Sequence, residues 1–343
     1  MRPAVTIRRG PTTPDAPASR TSSRGGRRRT PLSALAARLT PRDLWLLDVL
    51  AEHTALTSHQ ITHLAFTGHR TANRRLAALH RLGLLDSFRL RLPVGSAPET
   101  YVLGHVGAQL LALRHATTPA ALGWHPEHAS RTAYRPTLTH DLGCNDLLTH
   151  LARPQTPGNH DGASNGGHAS TVRLTRWWSE PRCTRIWGDL VQPDAHARLT
   201  HPGGETAFFL EYDTGTEPHA RLAAKLDAYA EAAHATGARP LVLFSVHSAR
   251  REAHLHQRLG HHPALAHIAA ATTARDLGTP DRPVWLPLGH PAHRTTLPQL
   301  PDAFPATHRP DPDFPHTADP SPLPAPSPTT PETAWPTGLL RQP

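Results

Sequence analysis

Lysine is almost missing from this chain of 343 residues: Lys225 is the single one, and arginine fills every other Lys/Arg position. Cysteine is nearly as scarce. Cys144 and Cys183 alone cannot build a disulfide framework or a four-cysteine zinc site. No apolar run approaches the ~20 residues that a membrane span needs. The charged N-terminus is not followed by the apolar stretch of a secretory signal, so a cytoplasmic protein is expected. Acids are outnumbered, 27 against 36 Lys plus Arg, which gives a net charge of +9 and a pI near 10.7. Such a balance favours an anionic partner, nucleic acid before membrane. Methionine and aromatics are few, whereas there are 37 prolines and 27 histidines, a bias of the kind GC-rich codons impose. Clusters such as His254, His256, His261 and His262 follow from that abundance and carry no metal-site signal of their own. Lys225 is either an accident of the same bias or a position whose compact ammonium a planar guanidinium cannot imitate.

Composition divides the chain. Residues 1–31 hold eight arginines and one acid, Asp15, a net +7, with Pro, Ser, Thr and Gly but few large apolar residues. A disordered basic arm is expected there. Residues 301–343 are proline-rich and read as a second disordered tail, and 154–169 as a flexible insertion. Two ordered blocks remain, at 32–115 and 135–295.

The first block opens on Thr40-Pro41-Arg42-Asp43, a threonine N-cap, a proline at the first helical position and an acid at the third. Leu44, Leu47 and Leu50 give that helix a core face. Thr57 caps a second helix with Ile61 and Leu64 inward, and after Thr67-Gly68 a third is predicted over 69–81. Its Ala72, Leu76 and Leu79 follow i, i+4, i+7 spacing, and Gly83 is placed to end it. Strands at 84–90 and 100–103 follow, joined by a loop containing Pro93, Gly95 and Pro98. Three short helices followed by a two-stranded ribbon is the order of a winged helix-turn-helix. Leu76-Ala77-Ala78-Leu79-His80-Arg81-Leu82-Gly83-Leu84-Leu85 resembles the recognition helix and first wing strand of many bacterial regulators. Tyr101-Val102-Leu103-Gly104, with Gly107 beyond, resembles the second wing strand entering a further helix. Opposite the apolar stripe of the third helix lie His69, Arg70, Thr71, Asn73, Arg74 and Arg75. Side chains of these types reach base edges in the major groove of double-stranded DNA and hold its phosphates. The same face also suits a solvated surface or a protein-docking module.

The second block reads as helix 137–152, strands 170–178, 189–199 and 205–213, helix 217–235, strand 240–246 and helix 248–259, with a further strand near 284–288. Pro193-Asp194, a gap of 16 residues, then Glu211-Tyr212-Asp213 at the end of the apolar Phe208-Phe209-Leu210 run resembles the PD-(D/E)xK nuclease core. In such a core, adjacent strands carry Asp194 and Glu211 to one sheet edge, where carboxylate oxygens bind Mg²⁺ or Mn²⁺. Asp213 points the same way as Glu211, because the side-chain period of a strand is two. The departure is that Asp213 stands where the pattern has its lysine. At ~100° per residue, Lys225 on the following helix lies ~60° from Leu222, beside the stripe of Leu222, Leu226, Tyr229 and Ala233. From there it can reach back toward Glu211. Asp141 on the helix at 137–152 is either an accessory acid of the metal site or an acid answering a helix N-terminus. Asp194, Glu211 and Lys225 together admit three readings: a working site, a retained fold with a dead site, or a strand-end ion-pair cluster.

The combination narrows the resemblance. The winged helix is followed by His140-Asp141-Leu142 with Asn145-Asp146, then Trp177-Trp178-Ser179-Glu180 and Pro193-Asp194. Residues 208–217 come next, with Lys225 and Tyr229 beyond. This arrangement resembles the replication-relaxation family of actinobacterial plasmids and integrated elements. The resemblance implies an α+β protein with an N-terminal winged helix-turn-helix and an α-β-β-β-α-β PD-(D/E)xK-like domain. It implies a DNA-binding role in plasmid or mobile-element replication, relaxation or mobilisation, with replication or transfer proteins as partners. A Mg²⁺-dependent endonuclease or nickase targeted by the winged helix is the alternative.

Overall fold

The computed structural model describes residues 5–11, 32, 35, 38–91, 95, 97–153, 172–215, 218–290, 293–312, 319–321 and 323–331. The insertion at 154–169, most of the basic arm, Pro93 and Glu217 lie outside them. The chain is a mixed α+β protein with two sheets, and it divides into two compact units, Met1–Asn145 with Pro322–Pro343, and Asp146–Ser321. Among the described residues no helix is long and apolar enough to cross a membrane.

In the first unit, strand β1 (Val5–Arg8) precedes helix α1 (Pro41–His53), β2 (Ala55–Thr57), α2 (Ser58–Ala65) and α3 (His69–Arg81). Strands β3 (Leu85–Leu90) and β4 (Thr100–Leu103) follow, then α4 (His105–Arg114), α5 (His128–Ala133) and the start of α6 (Leu138–Ala152). Both expected N-caps close as capping boxes. Thr40 accepts from the Asp43 amide while Asp43 accepts from the Thr40 amide, and Thr57 and Gln60 repeat the exchange. Ala72, Leu76 and Leu79 of α3 are fully buried, as the 3.6-residue period requires. Gly83 follows α3 at φ +72°, where a Cβ would meet the Pro11 carbonyl at 2.1 Å, so both backbone freedom and space demand glycine.

The sheet of this unit runs β1-β3-β4-β2, all antiparallel. Over residues 5–11, strand β1 corrects the expectation of an unstructured arm. Val5 and Ile7 alternate with Thr6 and Arg8, and they pack beside Phe88, Val102, Ala129, Ala133 and Leu138. Pairing with β3 satisfies the backbone, and Gly10 donates its N–H to the buried Asp86 carboxylate at 2.7 Å. An arginine-rich composition hid a four-residue period-two pattern. The proline-rich tail needs a similar correction, because Pro328 and Thr330 are buried in this unit and Trp45 of α1 donates its indole N–H to the Ser327 carbonyl at 2.8 Å. Prolines build no core of their own, but a segment they have stiffened loses little entropy on packing against an existing one.

The second unit holds the end of α6, then β5 (Arg173–Ser179), α7 (Glu180–Trp187), β6 (Ala195–His201), β7 (Gly204–Tyr212) and α8 (His219–Thr236). It continues with β8 (Leu241–Val246), α9 (Ala249–Leu259), β9 (Ala269–Ala274) and β10 (Leu286–Pro287). The sheet order is β10-β9-β8-β7-β6-β5. Strands β5, β6 and β7 form an antiparallel meander, and β7, β8 and β9 are parallel, joined by α8 and α9. Two elements differ from the expected order. Helix α7 interrupts the expected pair of strands: Ser179 caps it, accepting from the Arg182 amide, and Pro181 sits in its first turn. Strand β9, sequence Ala-Ala-Ala-Thr-Thr-Ala, lies inside the sheet although alanine has little strand preference. There the narrow side chains suit a strand buried on both faces. The segment after 295 also packs, with Leu297, Leu300 and Phe304 buried around the 3-10 turn Leu297–Ala303.

Candidate functional site

Two groups of side chains are the candidates for function, one in each unit. In the first, the polar face of α3 is as the sequence predicts: Arg70, Thr71, Asn73 and Arg74 are exposed opposite the buried stripe. Arg75 behaves differently. Its Nε donates to Asp43 Oδ1 at 2.8 Å and its second nitrogen to Oδ2, so it forks across a carboxylate that is 2% exposed. Burial pushes the Asp43 carboxyl up, but the hydrogen bonds from Arg75 and Thr40 hold it below its ordinary value. Arg75 therefore ties α3 to the start of α1. Asp141 is likewise engaged. In the first turn of α6 it forms an ion pair with Arg135 and accepts from Thr137 at 3.3 Å. It belongs to the first compact unit, with Asn145, whose amide donates to the Ala55 carbonyl at 3.1 Å.

The second group forms where β6 begins and β7 ends. The ladder pairs Ala195 with Leu210, and one further step sets Asp194 beside Glu211. Asp194 is fixed by backbone: its N–H donates to the Leu210 carbonyl at 3.1 Å, and its Oδ2 accepts from the Tyr212 amide at 2.6 Å. Glu211 is 2% exposed and faces α8. Lys225 Nζ donates to its Oε2 at 2.6 Å, and the Tyr229 hydroxyl to its Oε1, also at 2.6 Å. Lys225 and Tyr229 stand one helical turn apart, so one face of α8 grips both oxygens of one carboxylate. The sequence places the lysine correctly on this helix. Tyr229, read there as part of the core stripe, is also a hydrogen-bond donor, and its i, i+4 spacing from Lys225 is the signal that marks it.

Charge in this cluster is finely opposed. Burial, followed by the adjacent Asp194 carboxylate, lifts the Glu211 carboxyl to about 7, against the pull of Lys225 and Tyr229. Burial and Glu211 push the Tyr229 hydroxyl well above its ordinary range. Asp213, on the same strand end, takes a separate course. Its Oδ2 pairs with Arg251 of α9, its Oδ1 accepts from the Gly215 amide at 2.8 Å, and its own carbonyl accepts from Arg275 at 2.8 Å. No pattern in the sequence points to Arg251 or Arg275. Behind Glu211, the buried His196 ring sits among Trp178, Trp187 and Phe209 at centroid distances of 5.0–5.3 Å, and burial holds it well below its ordinary pKa.

Tested as a cradle for Mg²⁺ or Mn²⁺, these donors do not fit. A hard cation of this kind takes about six oxygens in a tight octahedron. Both Glu211 oxygens already accept from Lys225 and Tyr229, and Asp213 is committed to Arg251. Among the described residues no group of three or more His, Cys, Asp or Glu side chains is arranged to hold a metal ion. What the cluster does hold is one buried proton-binding carboxylate between a cation and a phenol.

The sequence profile of the replication-relaxation family matches residues 47–242, from within α1 to within β8. No curated protein and no solved structure matches the chain.

Proposed function

The chain belongs to the replication-relaxation family, and on that premise we propose that it binds double-stranded DNA in the replication, relaxation or mobilisation of a plasmid or other mobile element. In this reading the first unit is a winged helix-turn-helix. Helices α1, α2 and α3 form its tri-helical part, β3 and β4 are the wing, and α3 is the element that enters the major groove. The observation that carries the reading is the two-sidedness of α3: Ala72, Leu76 and Leu79 are fully buried while Arg70, Thr71, Asn73 and Arg74 are exposed on one face. Arg70 and Arg74 hold phosphates, and Thr71 and Asn73 face base edges. Arg75, bound to Asp43, supports the helix from behind. The net charge of +9 supplies the long-range attraction. The second unit, with a PD-(D/E)xK-like strand pattern, binds or shapes the DNA that the first selects.

Fluorescence anisotropy with plasmid-derived duplexes at several salt concentrations tests this. Arg70→Ala and Arg74→Ala should each lower the slope of log affinity against log salt by ~1. Binding unchanged in both, and in Asn73→Ala, would move recognition away from α3.

A metal-dependent endonuclease or nickase is the second reading, and the convergence of Glu211 and Lys225 beside Asp194 is what favours it. The way those carboxylates are already occupied argues for the version that does not cut. A supercoiled-plasmid nicking assay with Mg²⁺ or Mn²⁺ separates the two: divalent-dependent nicking that disappears in Asp194→Asn and Glu211→Gln would establish the enzyme.

A further inference from the structure

The surface of α1 that carries Trp45 is covered by the tail of the chain. From residue 320 to 328 every second residue is proline, in the order Pro-Ser-Pro-Leu-Pro-Ala-Pro-Ser-Pro, and another proline stands at 331. Such a segment can adopt neither helix nor a paired strand. Proline lacks the N–H, and each residue preceding one is driven out of the helical region. What remains is an extended chain whose carbonyls have no internal partners. Trp45 meets that need: its indole N–H donates to the Ser327 carbonyl at 2.8 Å. Around this bond Pro41 and Leu44 of α1 supply the apolar wall, and Pro324, Pro326 and Pro331 line the same cavity of about 360 Å³. Its polar rim is closed by Asp48, which holds Arg114 at 2.5 Å and His115 at 3.0 Å. Trp45 is 5% exposed and Pro328 is buried.

An indole that lines one cavity with Pro324, Pro326 and Pro331 and donates its N–H to the Ser327 carbonyl between them has the chemistry by which aromatic grooves recognise extended proline-rich peptides. We propose that the Trp45 groove is a recognition site for an extended proline-rich ligand, and that residues 323–331 of this chain are its resident, releasable occupant. The groove-facing residues lie on helices of the first unit and the ligand lies at the far end of the sequence, so the two associate as a site and a tethered peptide do. The tether raises the local concentration of the ligand and keeps the groove filled without requiring a tight intrinsic affinity. A cavity left beside the bound segment means that the contact is incomplete. Release of 323–331 would then uncover an apolar face on the unit proposed to read DNA, without dismantling its core.

The test uses the full chain. Pro324→Ser, Pro326→Ser and Pro328→Ser combined should release the segment while leaving the far-UV circular dichroism intact. In ¹H–¹⁵N spectra the Trp45 indole N–H, assigned through Trp45→Phe, should lose its protection from solvent exchange in the triple variant. An unlabelled synthetic peptide of residues 319–331 should restore that protection saturably in trans, and a peptide with its prolines replaced by alanine should not. Adding Trp45→Phe to the triple variant should weaken binding of the native peptide about fivefold, the effect of one lost hydrogen bond, with saturation then followed on a fluorescent label carried by the peptide. The proposal is overturned by a Trp45 indole equally protected in the wild type and the triple variant. It is equally overturned by native and proline-free peptides that bind alike, or by a native peptide that produces no saturable change.

Discussion

Replacing Glu211 by glutamine tests the central cluster of the second unit through its pH dependence. In the folded protein this carboxyl titrates at about 7, against an ordinary value of 4.5. The folded state therefore binds the Glu211 proton more tightly than the unfolded chain does, and stability from this group is complete below 4.5. As pH rises from 4.5 to 7 the unfolded chain gives up the proton first, so stability falls, and above 7 it is level. At 1.4 kcal/mol for each tenfold change in proton affinity, the gap is worth about 3 kcal/mol. Glu211→Gln keeps the shape and an acceptor for Tyr229 but has no proton to exchange. Lys225, with 23% of its side chain exposed, is in contact with water whether Glu211 is charged or neutral. Urea unfolding of wild type and variant at pH 5, 6, 7 and 8, followed by tryptophan fluorescence, gives the stability difference at each pH. Groups common to both proteins, His196 among them, cancel in that difference. Part of the fall has already occurred at pH 5, so the variant should gain on the wild type by about 2–3 kcal/mol between pH 5 and pH 8. A difference that stays flat, or a wild type that gains on the variant as pH rises, would mean that Lys225 keeps Glu211 ionised throughout and that the balance of burial against pairing is misjudged.

Tyr229→Phe removes one of the two donors to the same buried carboxylate and should destabilise the second unit by about 1–3 kcal/mol, measured by the same unfolding curves. Arg75→Ala should separate architecture from recognition: it strands Asp43, which is 2% exposed, at a cost of about 3 kcal/mol in stability, while leaving the salt slope of DNA binding unchanged. A normal melting temperature with a reduced salt slope would return Arg75 to the phosphate contacts. Deleting residues 1–11 should lower the melting temperature, because it removes the strand paired with Leu85–Leu90 and the Gly10 amide from Asp86. Asn73→Ala should relax DNA sequence preference at one position by about 1–3 kcal/mol, read from binding to single-base variants of the preferred site.

What could be read from the sequence was whatever depends on near neighbours. The caps at Thr40 and Thr57, the span of α3 from His69 to Arg81, its buried stripe and the glycine at 83 each follow from residues within one or two helical turns. The helical phase of Lys225 beside Leu222 was legible for the same reason, and it sufficed to direct the lysine toward Glu211. The chain also shows Ser179 and Pro181 at the start of α7, a local signal obscured by the aromatic, strand-like run before it. Other features have no local signature. Strand β9 is a run of alanine and threonine that becomes a strand only because β8 and β10 supply partners on both sides. The arginine-rich start yields Val5–Arg8 because β3 has a free edge there, and the proline tail packs where Trp45 offers a donor to its Ser327 carbonyl. Which arginine faces solvent and which forks across a carboxylate was likewise settled by tertiary structure. Arg74 and Arg75 are adjacent and chemically identical, yet only Arg75 meets Asp43, 32 positions earlier in the chain. Composition and periodicity fix which face of a helix is turned inward, but partners distant in sequence decide what each charged side chain on its margin does.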